Sequence, residues 1–183
     1  FSSGAEGVVR PLVEASLAAA AQAGEIIDAA IAENESQAAN FWRIRHSMAE
    51  AMRHEGKQAK HDVSVPVADA PAFLAEADAR VQRIAPGARI MAFGHLGDGN
   101  IHYDVLAPAG AEGDAFVRAL PAIETAVHDA IAAFDGSISA EHGVGLARRE
   151  EIARRKPAAE IEMMRRIKAA LDPQGIMNPG KML

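Results

Sequence analysis

The stretch "FGHLGDGNIHYDV", residues 93–105, decides the fold of this chain because it predicts a β-hairpin with a polar face. An Asp-Gly pair between two strand-like runs is the strongest short-range signal for a type I′ turn, in which both central residues need a positive φ. With Asp98 and Gly99 at the turn, antiparallel pairing predicts that His95 lies directly opposite His102. Directly opposed residues share a face, with Cβ atoms about 4.5–5.5 Å apart. Two imidazoles in this arrangement can converge on one metal ion.

A second polar stretch, "SAEHGVG" at residues 139–145, supplies the other groups that such a site needs. A divalent-metal site takes a third protein ligand and keeps a position open for substrate, and Glu141 is the natural candidate. Two histidines and one carboxylate suit Zn²⁺, Mn²⁺ or Fe²⁺. His142 would lie beside the metal, where a histidine can act as a general base near neutral pH. On the residues alone, the pairing of His95 with His102 is explained equally well as an ordinary polar contact between strands.

The composition is that of an ordinary globular domain, with 49% hydrophobic and 24% charged residues in a chain of 183. The formal net charge of −6 disfavours nucleic acid as a partner, because phosphate binding needs a basic surface. There is no cysteine, which excludes disulfides and thiolate metal sites and favours a reducing compartment such as the cytoplasm. No stretch of the sequence predicts a membrane span or a signal peptide.

The start of the chain predicts a fragment or a processed product, because the first residue is Phe1 rather than methionine. The opening letters "FSSG" are typical of the end of a strand whose beginning is missing.

Hydrophobic periodicity and turn residues predict a mixed order of helices and strands. Because hairpins and helices do not strictly alternate, the fold class that we expect is α+β, an antiparallel sheet with helices packed on one face. The predicted helices cover residues 5–23, a segment that begins at Asn34 or Ser36 and ends near Gly56, and residues 70–85, 112–134, 145–154 and 157–171; the predicted strands cover 25–32, 60–69, "ARIMAFGH", "NIHYDVLA" and "GSISAEHGVG", followed by an irregular tail.

Several motifs, in this order along the chain, resemble the C-terminal domain of FAD-linked oxidases of the vanillyl-alcohol oxidase superfamily. The similarity extends to the group that includes D-2-hydroxyglutarate dehydrogenase, D-lactate dehydrogenase and the glycolate oxidase FAD subunit. The motifs that carry it are "FWRIRHSMAEAM" at 41–52, "KHDVSVPV" at 60–67, "FGHLGDGNIHYDV", "SAEHGVG" and the tail "LDPQGIMNPGKML".

The resemblance implies a substrate-binding and metal-binding domain, spanning residues 1–183, of ferredoxin-like character, which covers the flavin ring. It implies an N-terminal FAD-binding domain that is absent from these 183 residues, so the chain alone is expected to be inactive. The implied cofactors are FAD and a divalent metal, Zn or Mn, and the implied reaction oxidises a D-2-hydroxy acid to the 2-oxo acid by hydride transfer to flavin. A homodimer and a peripheral location at the inner membrane are compatible with it.

The resemblance also implies a role for each matching site residue. His142 would be the base that takes the hydroxyl proton. The other roles would be metal ligation by His95, His102 and Glu141, binding of the substrate carboxylate by Arg45 and Lys60, and an approach to the flavin by Asn178. From the residues alone, without the family resemblance, Arg45 would be interpreted as a solvated or salt-bridged arginine and Lys60 as a surface residue. Trp42 is expected to pack in the fold rather than to contact substrate. The remaining polar residues are expected to be structural or on the surface, namely His46, His54, His61, His128 and Asp62, the last paired with Lys60 or Arg45.

One position departs from the family pattern and bears on the substrate. Relatives that act on longer dicarboxylic acids often have asparagine two residues after the second histidine, where this chain has Asp104. By strand alternation Asp104 shares a face with His102, so its charge would repel a second substrate carboxylate. The expected substrate is a D-2-hydroxy acid of the lactate, glycolate or 2-hydroxyglutarate type, and Asp104 favours the monocarboxylic acids lactate and glycolate among these. Two other functions remain open at this point, a standalone metal- or small-molecule-binding module and a metal-dependent hydrolase with His142 as base.

Overall fold

A three-stranded antiparallel sheet organises the larger part of the chain in the computed structural model, which describes residues 7–110 and 114–182. The chain divides into two compact units, Phe1–His54 and Glu55–Leu183. The first unit is helical and the second contains the sheet. Each unit is therefore described by itself.

The first unit contains the helices α1 (Val9–Gln22) and α2 (Glu35–Arg53). The side chain of Asn34 caps α2 by accepting the backbone N–H of Gln37 at 3.0 Å, as its residue type predicts. The predicted strand at 25–32 is wrong, because this segment is irregular. Its Ile27 is fully exposed, so no core covers this side chain. The prediction that "FSSG" ends a strand lies outside the described residues.

In the second unit the elements run β1 (Gln58–Ser64), α3 (Ala70–Ile84), β2 (Arg89–His95), β3 (Asn100–Leu106) and α4 (Asp114–Ala133). Both outer strands pair antiparallel with β3, in the order β1-β3-β2. The helices α3 and α4 pack on each other and on the face of the sheet that carries Tyr103. This arrangement confirms the predicted α+β class.

The helix-covered face of the sheet forms the core. Val63, Phe73 and Tyr103 are completely buried there, and each such side chain stabilises the fold by roughly 1.5–3 kcal/mol relative to an exposed one. The hydroxyl of Tyr103 donates to Oδ1 of Asp78 at 2.8 Å, so the buried ring keeps a partner for its polar end. The other face of the sheet bears the polar side chains of β1 and β3.

The predicted strand "GSISAEHGVG" is reduced to one bridge at the edge of β1. Ser64 and Ser137 exchange both backbone hydrogen bonds, at 2.9 and 2.8 Å. A Cβ on Gly136 would meet the carbonyl oxygen of Ser64, so only glycine allows this approach. Beyond the bridge the chain leaves the sheet edge and carries Glu141 and His142 above the polar face. The order β-α-β-β-α plus this bridge agrees with the ferredoxin-like character that the resemblance implies.

The hairpin between β2 and β3 forms, but the predicted register is wrong. His95 lies opposite Asn100, and Phe93 is the residue opposite His102. The connection is a 3₁₀ turn over Leu96–Asp98 followed by Gly99, not a two-residue turn. Only Gly99 has a positive φ, of 69°, whereas a type I′ turn would need a second one at Asp98. The longer turn moves His95 away from the position directly opposite His102.

The C-terminal part contains α5 (Arg149–Arg155), α6 (Ala158–Leu171) and an irregular tail, as predicted. Asp172 ends α6 and fixes the tail, because its carboxylate accepts the backbone N–H groups of Ile176 and Met177, each at 2.9 Å, and pairs with Lys168. Among the described residues no helix combines the length and the apolar character needed to cross a membrane.

Candidate metal centre

Four side chains meet above the polar face of the sheet. They belong to Asp62 on β1, His102 on β3, and Glu141 and His142 in the segment after the Ser137 bridge. One ligand atom from each lies within 4.8 Å of the others. Two imidazoles and two carboxylates form a donor set of nitrogen and oxygen, which suits Zn²⁺ or Mn²⁺.

The strand register explains how two of these residues come together. Asp62 and His102 are directly opposite each other in the β1–β3 pair, so both side chains rise from the same face. The Nδ1 atom of His102 is 3.7 Å from Oδ1 of Asp62, and its Nε2 atom is 3.2 Å from Oε1 of Glu141. The His102 ring therefore lies between two carboxylates, with one nitrogen toward each.

Asp62 also fixes the segment that carries the other two residues. Its Oδ2 accepts the backbone N–H of Glu141 at 2.9 Å and that of His142 at 2.8 Å. Burial would raise the pKa of Asp62, but these two N–H bonds, together with the charges of the two histidines, outweigh burial and lower it. Asp62 is therefore an anion at neutral pH, and only 1% of it is exposed.

The buried carboxylate of the cluster has one oxygen without a partner. Oδ1 of Asp62 is buried and accepts no hydrogen bond from the described residues. A buried carboxylate oxygen without a donor is costly, and Nδ1 of His102 faces it at 3.7 Å. The two imidazoles and the exposed Glu141 carboxylate remain as nitrogen and oxygen donors, so the residues present fit the divalent metal that the resemblance implies.

His142 is the accessible member of the cluster. Its side chain is 62% exposed, and its ring stacks on that of His102 with centroids 5.4 Å apart. Its Nε2 atom lies 3.9 Å from Oε1 of Glu141. A histidine held in this way beside a metal ligand, yet open to solvent, can reach a proton on a bound molecule.

His95, the third predicted metal ligand, is not part of this cluster in the described structure. It ends β2 opposite Asn100. Asn100 lies two residues before His102 along β3, so the register puts both histidines on the same face of the sheet. The longer turn described above accounts for this separation. The predicted direct opposition of the two histidines was therefore wrong, whereas their shared face was correct.

Lys60 and Asp104 are directly opposite each other on the polar face. Along each strand they lie two residues from the pair formed by Asp62 and His102. Lys60 is exposed and Asp104 is buried. Burial raises the pKa of Asp104, and the charge of Lys60 only partly offsets this. The predicted common face of Asp104 and His102 is confirmed by the strand register.

Two predicted residues lie in other parts of the chain. Arg45 lies on α2 in the first unit and is half-buried. Asn178 lies in the tail with a φ of 46°, and it lines a surface cavity of about 560 Å³. Gly145 lines the same cavity, so the tail returns to the segment that carries Glu141 and His142.

The four histidines without a motif partner lie in the core or on the surface, whereas Trp42, which was expected to pack, is mostly exposed. His61 and His128 are buried on the helix-covered face, with ring centroids 5.8 Å apart. Trp42 is mostly exposed and its ring stacks on His46, while His54 is exposed after α2. The residue whose role the sequence analysis missed is Asp62, whose carboxylate accepts the backbone N–H groups of Glu141 and His142. Its position on the His102 face of a strand was the available signal.

Comparison with known proteins identifies the family of this chain. The profile of the family described as "FAD linked oxidases, C-terminal domain" matches residues 1–182. The D-2-hydroxyglutarate dehydrogenase of Stutzerimonas stutzeri is 40% identical over 158 residues, which cover 86% of this chain and 34% of that protein. The protein of the same name from Xanthomonas citri pv. viticola is 41% identical over 159 residues, covering 87% of this chain and 34% of that protein.

A plant protein extends the comparison. The "D-2-hydroxyglutarate dehydrogenase, mitochondrial" of Arabidopsis thaliana is 36% identical over 174 residues, which cover 95% of this chain and 30% of that protein. The chain thus spans about one third of the length of the curated relatives that it matches. Because the family profile matches nearly every residue, the chain belongs to the family of C-terminal domains of FAD-linked oxidases.

Proposed function

We propose that this chain is the substrate- and metal-binding part of an FAD-dependent dehydrogenase or oxidase, which converts a D-2-hydroxy acid to the 2-oxo acid. The observation that carries the proposal is the convergence of His102, Glu141 and His142 on one face of the sheet, in a chain of this family. An N-terminal FAD-binding domain of the same full-length protein would be its partner. The relatives, which are about three times longer, support that arrangement.

The proposed metal ligands are His102 and Glu141 from the cluster, with His95 as the third. His102 and Glu141 already place Nε2 and Oε1 3.2 Å apart. His95 shares their face of the sheet, which supports its inclusion, but its side chain would have to move toward the cluster. A bound divalent ion would polarise the hydroxyl and carboxylate oxygens of the substrate.

His142 is the proposed base for the substrate hydroxyl. Its exposed ring lies beside the metal ligand Glu141, and the Asp62 carboxylate fixes its backbone. The proton from the hydroxyl would move to this imidazole, which works as a base near neutral pH. FAD, when bound, would accept the hydride from the carbon that bears the hydroxyl group. We propose that Asn178 contacts the flavin from the tail.

Binding of the substrate carboxylate is proposed for Arg45 and Lys60. Arginine offers a bidentate fork for a carboxylate, and lysine adds a second positive charge. Lys60 is exposed on the polar face, two residues from Asp62 along β1, which supports its part of the proposal.

Two classes of substrate are supported by different observations. The names of the relatives favour a 2-hydroxyglutarate type of substrate. The buried carboxylate of Asp104 beside His102 favours a monocarboxylic acid such as lactate or glycolate, because two carboxylates in one pocket repel each other. Rates of the full-length protein with the D forms of these acids, using an artificial electron acceptor, separate the two. A clear preference for D-2-hydroxyglutarate would refute the expectation based on Asp104.

The metal content of the purified protein tests the proposed site. We expect one Zn²⁺ or Mn²⁺ per chain by mass spectrometry, removed by EDTA and lost in His102→Ala and Glu141→Ala. Asp98→Ala is a matched control, since Asp98 is an exposed acidic residue in the same hairpin. A protein that takes up neither ion, with its fold intact by circular dichroism, would refute the metal site.

The two rival functions make different predictions. A metal-dependent hydrolase would cleave ester or amide substrates in the absence of flavin. A standalone binding module would bind metal but would not restore oxidation when combined with the FAD-binding part. The family match over residues 1–182 favours the oxidoreductase over both.

A further inference from the structure

The two carboxylate oxygens of Asp62 have separate surroundings. Oδ2 accepts two backbone N–H groups, from Glu141 and His142. Oδ1 accepts no hydrogen bond from the described residues, and Nδ1 of His102, 3.7 Å away, faces it. That distance is longer than a formed hydrogen bond, and a movement of less than one ångström would close it.

The other nitrogen of the His102 ring, Nε2, shows why the contact at Nδ1 matters for metal binding. Nε2 of His102 faces Oε1 of Glu141 at 3.2 Å, which is the side on which a metal would lie. A neutral histidine that binds a metal through Nε2 must carry its proton on Nδ1. Histidine ligands almost always donate that proton to a carboxylate, a carbonyl or water, which fixes both the tautomer and the ring orientation.

Asp62 is held rigidly enough to do this. It is paired with His102 in the β1–β3 register, and its carbonyl oxygen accepts the N–H of Ala140 at 3.1 Å. Its side chain is almost completely buried. One residue on the outer strand β1 thus connects β3, which carries His102, to the segment that carries Glu141 and His142.

We propose that Asp62 is the positioning residue of the metal centre, a role that rests on the proposed function. Oδ1 accepts the Nδ1–H of His102 and so directs Nε2 toward the metal. Oδ2 holds the backbone of Glu141 and His142 at the distance that lets both side chains reach the same ion. Asp62 itself is not a ligand in this proposal.

The substitution Asp62→Asn separates the two tasks. The amide oxygen of asparagine can take the place of Oδ2 and accept both backbone N–H groups, so the segment stays in place. The amide NH₂ group then takes the place of Oδ1 and faces Nδ1 of His102. Because NH₂ is a donor, Nδ1 must become an acceptor, and the ring proton moves to Nε2, where it blocks the metal.

The decisive measurement is the protonation of His102 Nδ1, read from two-dimensional ¹H–¹⁵N spectra of the imidazole rings at pH 7.5. The signals of His102 are assigned by their loss in His102→Gln. We expect a protonated Nδ1 in the wild type, with and without Zn²⁺, and an unprotonated Nδ1 in Asp62→Asn. Calorimetric titration with Zn²⁺ should show affinity weaker by about 10–100-fold in Asp62→Asn.

The matched control is Asp78→Asn, which changes a carboxylate that accepts a hydrogen bond on the opposite face of the same sheet. It should leave both the Nδ1 signal and the Zn²⁺ affinity unchanged. Melting curves without metal show whether Asp62→Asn keeps its fold. Asp62→Glu provides a second variant that retains the charge and is expected to keep Nδ1 protonated.

The Nδ1 signal decides between the outcomes. If Nδ1 stays protonated in folded Asp62→Asn, or is unprotonated in the wild type, the proposal is overturned whatever the affinity. If the wild type takes up no Zn²⁺, the proposed metal site fails, but the change in Nδ1 between wild type and variant still supports or refutes the role of Asp62.

Discussion

At the level of single residues, strand alternation puts neighbouring side chains of β1 on opposite faces of the sheet, where they have different roles. His61 on β1 points to the helix-covered core, and its Nδ1 lies 2.8 Å from the carbonyl oxygen of Tyr103. Lys60 and Asp62, on either side of it, belong to the polar face. A shift of one residue in the register would exchange these roles, so the candidate site depends on the exact pairing of β1 with β3.

Asp104 allows a prediction about substrate choice at this scale. Replacing it with asparagine removes a buried negative charge next to His102 and Lys60 while keeping the size of the side chain. We expect Asp104→Asn to raise kcat/KM for D-2-hydroxyglutarate relative to D-lactate by about 10-fold, equivalent to about 1.4 kcal/mol. Steady-state kinetics of the full-length protein with both acids measure this ratio.

The control for this prediction is Asp98→Asn, which removes an exposed charge from the adjacent turn. It should leave the ratio of the two kcat/KM values unchanged. An unchanged ratio in Asp104→Asn as well would show that Asp104 does not face the substrate.

At the scale of elements, the turn between β2 and β3 depends on a single glycine. Gly99 has a φ of 69°, and a Cβ at this position would collide with the carbonyl oxygen of Val65. The same residue also holds the turn, because the N–H of Val65 donates to the carbonyl oxygen of Gly99 at 3.1 Å. The loop and the end of β1 therefore fit together only through a residue without a side chain.

We predict that Gly99→Ala destabilises the protein by about 2 kcal/mol or more, from the left-handed backbone together with the collision. Gly97→Ala in the same turn is the matched control, because Gly97 has no atoms near its Cβ position and no positive φ. It should change the free energy of unfolding by less than about 0.5 kcal/mol. Urea unfolding followed by circular dichroism compares the variants, and equal effects would contradict this account of the turn.

The tail provides a second prediction at this scale. The Lys168 ammonium, together with the amides of Met177 and Ile176, lowers the pKa of the Asp172 carboxyl. The stability that its bonds give the tail is therefore complete above the ordinary pKa of an aspartate, and the bonds are lost as the pH falls through the lowered pKa. In Asp172→Ala the amides of residues 176 and 177 should exchange with solvent much faster at neutral pH, measured by hydrogen exchange. Asp129→Ala, an exposed carboxylate on α4, should leave the exchange of the tail unchanged.

The elements also show how far the sequence can predict this structure. Alternation and capping residues correctly predicted β1, β2, β3 and most helices, because these signals are local. The strand predicted at 25–32 failed because apolar residues make a strand only where a partner exists. Residue type alone made Glu141 the candidate third ligand beside His102. The role of Asp62 was missed, because its hydrogen bond to the backbone of Glu141 spans 79 residues of sequence.

At the scale of the whole molecule, a buried pair of histidines lies under the sheet on the side opposite the candidate metal centre. His61 on β1 and His128 on α4 meet edge to face, and Nδ1 of His128 lies 3.1 Å from Oε1 of Glu151 on α5. Both rings are almost completely buried. Their contacts join β1, α4 and α5. A positive charge on either buried ring would therefore disturb the packing of these three elements in the second unit.

Burial lowers the pKa of His61 to about 4, with the charges of His128 and Arg148 acting in the same direction and the bond to Tyr103 opposing them. Burial also lowers the pKa of His128, although Glu151 opposes this. In the unfolded chain both histidines bind a proton near pH 6.5. Between that pH and about 4 the unfolded state binds more protons than the folded state, so stability is complete above pH 6.5 and falls as the pH decreases.

We therefore predict that the free energy of unfolding drops by about 3 kcal/mol between pH 7 and pH 4 because of His61 alone. Urea titrations in EDTA, followed by the ring proton NMR signals of Tyr103, measure this loss in the second unit, since Tyr103 is the only tyrosine. His61→Asn keeps a donor for the Tyr103 carbonyl but cannot be protonated, so it should flatten the pH dependence. His54→Asn, which removes an exposed histidine, should not. If His61→Asn and the wild type lose stability in parallel, the buried histidine is not the source of the acid sensitivity, and the carboxylates that titrate below pH 5 must account for it.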